Sequence, residues 1–494
     1  MKAVQFTTYA VNGRPVREQT ELDVTLEADE ASLLESGVIN LYPDLTYQEI
    51  EGFGGAVTDT AGYLYSTMKE EEKKNFLKDY FGEQGLRYRF VRMHMDSCGY
   101  ALEEYQAVAD PVADPEFETF TIERDFKYMI PLFKDAMKMS DVPLCVLLSP
   151  WSPPKQWKTP PARPKNDGAV YGLNALMASV LPPIYYDTPS RCNGGSLKPE
   201  YYGPWAEYLA RYVQAYLDEG IPVTMMSLQN ETAAATNWDS CVWTAEEQKS
   251  FLKEYLYPTF RKYGLDKKIG LYIWDHNKER VVEFARTVMD DETKDMIEGI
   301  AFHWYSGDHF EALQIAHDFY PNMKLMSSEC CALHPPGQAD PIAALFGMNS
   351  AKSVAEVEYQ DAAAYGHDII GNLNHGMNRW IDWNLCVDEK GGPRHVPNGF
   401  GAPVCVSGDG TYRRLLTYDY IGHFSKYILP GAKRIGFSRC DDAVDVTAAK
   451  NTDGSIAVIL LNRESQSKSY AVRIDGNVIR ISVPGYTIST LTIF

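Results

Sequence analysis

The chain has 494 residues, 45% hydrophobic and 23% charged, with a formal net charge of −20 at pH 7. That length and composition exclude a disordered polymer, a collagen-like fibre and a disulfide-built miniprotein. The acidity works against phosphate backbones and anionic membrane surfaces, and no apolar run approaches the ~18 residues of a membrane span.

The nine cysteines are odd in number and scattered, with no CxxC pair. Free thiols in a reducing compartment are expected. Met1–Tyr9 carries no apolar leader, so the expected location is cytoplasmic.

In chain order, Val16–Leu41 reads as strand. Eight short apolar runs then follow: Ile50–Phe53, Phe90–His94, Pro143–Leu148, Thr224–Gln229, Ile269–Ile273, Ile297–Trp304, Leu325–Ser328 and Arg379–Asn384. Helical patterns lie between them at Lys69–Tyr80, Phe126–Met139, Pro204–Asp218, Thr244–Tyr263, Glu279–Asp290 and Val354–Leu373. Thr244 and Glu247 have capping-box spacing. Eight strands alternating with helices predict an α/β fold, a (β/α)8 barrel, with an open doubly wound sheet as the alternative. From Lys433 to Phe494 the period becomes two, and Asp453-Gly454 and Asp475-Gly476 mark hairpin turns. A small β-sandwich built from both termini is expected, with 1–48 and 426–494 flanking a 49–425 barrel. Lys158–Lys198, rich in Pro, Gly and Asn, is a long loop on the barrel's C-terminal face, where active sites are built.

Two carboxylates stand at strand ends. Glu231 follows the fourth run and Glu329 the seventh, so they face each other across a barrel mouth. Taken singly, either would read as a solvated surface charge. Together they can flank one glycosidic bond, one donating a proton and the other attacking the anomeric carbon; retaining enzymes hold the pair about 5–5.5 Å apart. Asn230 is placed to meet a sugar hydroxyl beside the reacting carbon.

These residues have company. Asn230-Glu231, Ser328-Glu329, Phe53-Gly54-Gly55-Ala56-Val57-Thr58-Asp59, Ser149-Pro150-Trp151-Ser152, His303-Trp304-Tyr305, Asp382-Trp383-Asn384 and Gly422-His423-Phe424-Ser425-Lys426 stand in family order and spacing. From about Glu51 to Phe494 the chain resembles glycoside hydrolase family 30. The resemblance implies a (β/α)8 barrel with a β-sandwich and hydrolysis of β-glycosides with retention. It implies Glu231 as acid/base and Glu329 as nucleophile. Asp59 and Trp151 match contacts to the outer hydroxyls of a bound glucose, Asn230 a contact to its 2-hydroxyl, Trp383 an aromatic wall and Asn398 a contact nearby. Arg92, His303 and Tyr305 match residues around the nucleophile.

Plainer roles compete at several positions. Arg92 suits a structural ion pair, Tyr305 rim packing, His303 and the tryptophans the core, and Asp59 a cap on a helix over Thr60–Met68. Trp274-Asp275-His276-Asn277-Lys278 and Gly391-Gly392-Pro393-Arg394-His395 depart from the family pattern and are expected to shape the aglycone side. His303, Asp308 and His309 match no zinc spacing, no GxSxG or phosphate loop occurs, and no cofactor or metal is expected.

The expected function is that of a retaining exo-acting β-glucosidase on small glycosides, without nucleic-acid partners and with its oligomeric state open. An endo-β-1,6-glucanase, a β-xylosidase or β-fucosidase, and a catalytically silent carbohydrate-binding protein remain alternatives.

Overall fold

Alternating polar and apolar residues, broken by Gly and Pro, fold into twenty-one strands among the described residues. The computed structural model describes residues 1–11, 14–26, 37–160, 189–338, 352–397 and 399–494.

The chain starts with β1 (Ala3–Val11), β2 (Arg14–Leu22), β3 (Val24–Leu26) and β4 (Val38–Ile50). The strand expected over Val16–Leu41 is thus parts of three strands, and 27–36 lies outside the described residues. Then come β5 (Gly52–Ala56), β6 (Phe90–Met95), β7 (Cys145–Pro150), β8 (Val223–Ser227), β9 (Gly270–Asn277), β10 (Gly299–His303), β11 (Lys324–Glu329) and β12 (Met377–Asn384). These eight pair in parallel and close into a barrel, β12 returning to β5. Gly54 lets β5 lie close on β6: a Cβ there would be 2.0 Å from the Phe90 carbonyl oxygen.

A small sheet of β13 (Cys386–Asp388), β14 (Val404–Val406) and β15 (Tyr412–Arg414) follows. Six strands end the chain: β16 (Ala432–Arg439), β17 (Asp445–Lys450), β18 (Ile456–Asn462), β19 (Lys468–Ile474), β20 (Asn477–Val483) and β21 (Thr487–Ile493). With β1 to β4 they form a ten-stranded sheet around a second core that includes Ile39, Val458, Val472 and Leu491. Both termini therefore build the sandwich. The β19–β20 hairpin turns at Asp475 and Gly476, both with positive φ, as a two-residue turn of primed type requires.

The helix expected over Thr244–Tyr263 runs from Ala245 to Tyr263 with its capping box in place. A π-helical turn at Phe251–Leu256 precedes Pro258, which has no N–H for a regular ladder.

Inside the barrel the residues change with height. One layer is largely apolar: Phe90, Leu147, Met225, Tyr272, Ala301, Met326 and Ile381. Two residues further along five of these strands stand Arg92, Ser149, Ser227, His303 and Ser328, all buried. Period two thus stacks a polar layer on the apolar one, directly beneath the strand ends.

Candidate active site

Arg92 is the hub of that polar layer. It is fully buried, and its nitrogens donate in five directions. Nε reaches Ser149 Oγ at 3.1 Å, Nη1 the Ser328 carbonyl at 3.1 Å and Glu329 Oε2 at 2.7 Å. Nη2 reaches Asn230 Oδ1 at 2.9 Å and Asp275 Oδ2 at 2.8 Å. A guanidinium has five N–H donors, and each finds an acceptor. Its flat face lies 4.7 Å from the Trp151 ring.

Asp275 is the anchor beneath. It accepts from Arg92, from Ser227 Oγ at 2.6 Å and Ser328 Oγ at 2.5 Å, and meets His303 Nε2 at 3.1 Å. Burial pushes its carboxyl up, but Arg92 and His303 hold it well below the usual range. The expectation that Trp274–Lys278 shapes the aglycone side is corrected here for Asp275, which is 0% exposed, and for Lys278, which pairs with Asp368 in the interior. The cause is a β-bulge. Ala301 pairs with Trp274 and Phe302 with His276, so Asp275 is the extra residue; Trp274 and Asp275 both have positive φ. The bulge turns Asp275 inward, where strict alternation would have placed Trp274.

Glu329 ends β11. Besides Arg92 it accepts from the Tyr305 hydroxyl at 2.9 Å. Glu231 lies just past β8 with φ of 49°, its backbone N–H bonded to the Asp275 carbonyl. Its Oε1 is 3.6 Å from His303 Nδ1 and 3.8 Å from His276 Nδ1. The two carboxyls are 6% and 8% exposed. Burial pushes His303 down, but Glu329, Asp275 and Glu231 carry it up to about 9, so it is cationic at neutral pH.

Two influences disagree about the proton that the glutamates share. Burial raises Glu231, yet His303 and His276 draw it below the usual range. Burial and the charge of Glu231 raise Glu329 against His303, Arg92 and Tyr305. The histidine field thus favours a proton on Glu329. The hydrogen bonds favour the reverse, and they decide: Glu329 accepts from two donors within 2.9 Å, whereas the nearest histidine nitrogen to Glu231 is 3.6 Å away. The geometry thus sets the two carboxyls apart: Glu329 is held by two charged or polar donors, and Glu231 faces the histidines.

The walls are aromatic. Trp151 and Trp383 lie 5.1 Å apart, centroid to centroid, and Tyr100 meets Trp383 edge-on. Trp238, Tyr305 and Phe400 are half-buried against the same cluster. Asp59 is buried, its carboxylate held by Arg124 through two bonds of 2.8 and 2.9 Å and by the Leu102 N–H at 2.9 Å. The helix cap weighed as the plainer role of Asp59 is instead Thr58, whose hydroxyl accepts from the Ala61 N–H. Asn398 lies outside the described residues.

Sequence reasoning missed His94, which accepts from the Asp59 N–H at 3.0 Å, and placed Asp275 and His276 on the aglycone side rather than around the glutamates. His94 lies within β6, and Asp275 and His276 within β9, where a polar residue in an apolar run passes for a core residue. Among the described residues, two side-chain groups have the donor types to hold a metal ion: Glu231 with His276 and His303, and Cys192 with Asp239 and His395. Residues 161–188 of the long loop lie outside the described residues. Its two arms meet, Lys158 bridging to Leu197, and the Lys158 ammonium is buried on Ser152 Oγ and the carbonyls of Arg191 and Ser240.

Comparison with known proteins converges on one assignment. The Glycosyl hydrolase family 30 TIM-barrel domain matches residues 50–179 and 182–428, and the family 30 beta sandwich domain matches 431–491. The chain is 28% identical over 488 residues to lysosomal acid glucosylceramidase of Mus musculus, covering 96% of this chain and 87% of that protein. It is 23% identical to the endo-1,6-beta-D-glucanase neg1 of Aspergillus fumigatus, over 84% of this chain and 78% of that one. The crystal structure of SrfJ from Salmonella typhimurium superposes with a TM-score of 0.85 at 30% identity, covering 100% of this chain and 99% of that one.

Proposed function

Since the chain belongs to glycosyl hydrolase family 30 and is a glycoside hydrolase, we propose that it acts as a retaining, exo-acting β-glucosidase. The observation that carries this reading is the buried cluster around Arg92. It joins Glu329, Asn230 and Asp275, with Glu231 at its edge.

Glu329, ionised against Arg92 and Tyr305, attacks the anomeric carbon. Glu231 gives its proton to the leaving oxygen as that bond breaks. The glycosyl ester on Glu329 is then cleaved by water, whose proton returns to Glu231. Arg92 and Tyr305 hold Glu329 in line, and His303, fixed by Asp275, stands behind Glu231. Trp151 and Trp383 wall the sugar, Asn230 meets its 2-hydroxyl and Asp59 its outer hydroxyls. Arg124 and the Leu102 N–H leave the Asp59 carboxylate one of its about four acceptor positions for a hydroxyl.

The depth of the carboxyls, each under a tenth exposed, supports a pocket over an open groove. The glucosylceramidase and endo-glucanase relatives make a glucoside the first substrate to try.

The test is a panel of aryl β-glycosides combined with a 2-fluoro-glucoside trap. Turnover of the glucoside with the label on Glu329 is expected. Glu329→Gln abolishes turnover. Glu231→Ala loses about 10²- to 10⁴-fold on poor leaving groups and little on good ones. Label elsewhere, or a Glu329→Gln enzyme of near-normal rate, overturns the reading. Cleavage of β-1,6-glucan without the aryl glucoside would make the chain an endo-enzyme.

A further inference from the structure

Three loops on the barrel's C-terminal face bring Cys192, Asp239 and His395 together. Cys192 lies on the returning arm of the long loop after β7, Asp239 in the loop after β8 and His395 in the loop between β13 and β14. One ligand atom from each lies within 4.8 Å of the others. The backbones of Cys192 and Asp239 pair in an isolated bridge.

Each side chain is oriented by its other contacts. Asp239 is 0% exposed, and its Oδ1 accepts from Ser97 Oγ at 2.8 Å and Arg191 Nε at 2.9 Å. That leaves Oδ2 facing the cluster. His395 Nδ1 lies 3.0 Å from the Ala101 carbonyl, to which it can only donate, so Nε2 presents its lone pair when the ring is neutral. Asp239 Oδ2 and His395 Nε2 approach to 3.1 Å as an ion pair. A buried carboxylate oxygen and a carbonyl-oriented imidazole that converge beside a thiol form a donor set able to share one ligand.

We propose that Cys192, Asp239 and His395 bind a zinc-type divalent cation that clamps the three loops. A sulfur, nitrogen and oxygen donor set suits a borderline ion such as Zn²⁺ and not Ca²⁺ or Mg²⁺. Water completes the fourth position, and the partial exposure of Cys192 and His395 provides the entry path. Neighbours of the ligands shape the sugar pocket. Trp238 packs with the cluster of Trp151 and Trp383, and Arg394 lies over the rings of Tyr100 and Phe400. The ion therefore fixes the pocket rim and takes no part in bond cleavage.

The full chain, stripped with chelator and desalted, is titrated with Co²⁺ and then Zn²⁺. One Co²⁺ per chain with a thiolate-to-cobalt charge-transfer band is expected, bleached by Zn²⁺. Cys192→Ser abolishes the band, weakens zinc at least about tenfold and removes the rise in Tm that zinc gives the parent. His276→Asn keeps the band, which separates this site from the group around Glu231. Absence of the band in the parent, its persistence in Cys192→Ser, or zinc retention lost only in His276→Asn overturns the proposal. Should Cys192→Ser fail to fold, His395→Gln is read in the same way, with a changed and weakened band expected and an unchanged one overturning it.

Discussion

Arg92 shows what one side chain can organise. A lysine there has three donors and no fixed plane, so it cannot serve Ser149, Ser328, Glu329, Asn230 and Asp275 together. Asp275 is the counterpart whose removal isolates the effect. Asp275→Asn keeps the shape and removes the charge that Arg92 and His303 face. Breaking a buried pair in this way costs about 3–5 kcal/mol, so urea unfolding detects it directly. kcat on an aryl β-glucoside falls with it, because Arg92 no longer holds Glu329 in one position. Unchanged stability would mean that Asp275 does not anchor the site. Glu231 and Glu329 were legible because each comes right after an apolar run. Asp275 was not, because a bulge is a register event between strands: reading Leu271 to Asn277 alone puts Trp274 inward. The cap could not be read to a single residue because Thr58 and Asp59 are both good caps and stand side by side.

Helix Tyr202–Asp218 shows the same division at the level of elements. Its apolar periodicity was plain. Hidden in that buried face are Tyr208, Tyr212 and Tyr216, whose hydroxyls hold aspartates from a different part of the chain. Tyr208 donates to Asp96, while Tyr212 and Tyr216, joined by Tyr105, donate to Asp125. Sequence cannot pair residues 87 and 91 positions apart. Burial carries the Asp125 carboxyl up to about 7 despite those hydroxyls. The folded chain therefore holds this proton more tightly than the unfolded one, whose carboxyl titrates near ~3.9. The stabilising contribution is complete below about pH 4 and is lost as pH rises through 7. Asp125→Asn is expected to flatten the fall in Tm between pH 5 and 8, as read by calorimetry; a slope identical to the parent's would refute the assignment. Strand β1 was missed for a related reason. Its buried Gln5, Thr7 and Thr8 look like surface residues, and they are satisfied by Ser482, Ser489 and His423 from the far end of the chain.

His423 joins the two halves of the molecule. It sits on helix Leu416–Ser425, with Nε2 2.8 Å from Thr8 Oγ1 on β1 and Nδ1 2.8 Å from Thr490 Oγ1 on β21. Burial, with Arg17 and Lys426 nearby, holds the ring far below its ordinary range, so it is neutral when folded. An unfolded histidine titrates near ~6.5. The stabilising contribution is present above that value and lost as pH falls below it. His423→Gln is expected to lose about 1–2 kcal/mol at pH 8, through hydrogen bonds made less well. It should also soften the destabilisation between pH 7 and 5, as measured by urea unfolding at both ends. A parallel offset at all pH values would show that the ring does not titrate this way. The barrel was legible from its eight apolar runs, and the sandwich from its period of two. The join was not, because no local pattern marks which helix docks on which sheet.

Strand β1 pairs with β21, β4 with β16 and β19, and β5 with β12. During synthesis, the first strands to leave the ribosome thus wait for partners made last. Until Met377–Asn384 emerges, β5 has one open edge, and β1 keeps one until Thr487–Ile493 is made. Long-range parallel closure is slow, and open strand edges invite pairing with other chains. A nascent chain halted before β21 should therefore be held by chaperones or aggregate, and the polar residues of β1 would delay that pairing while the last strand is awaited.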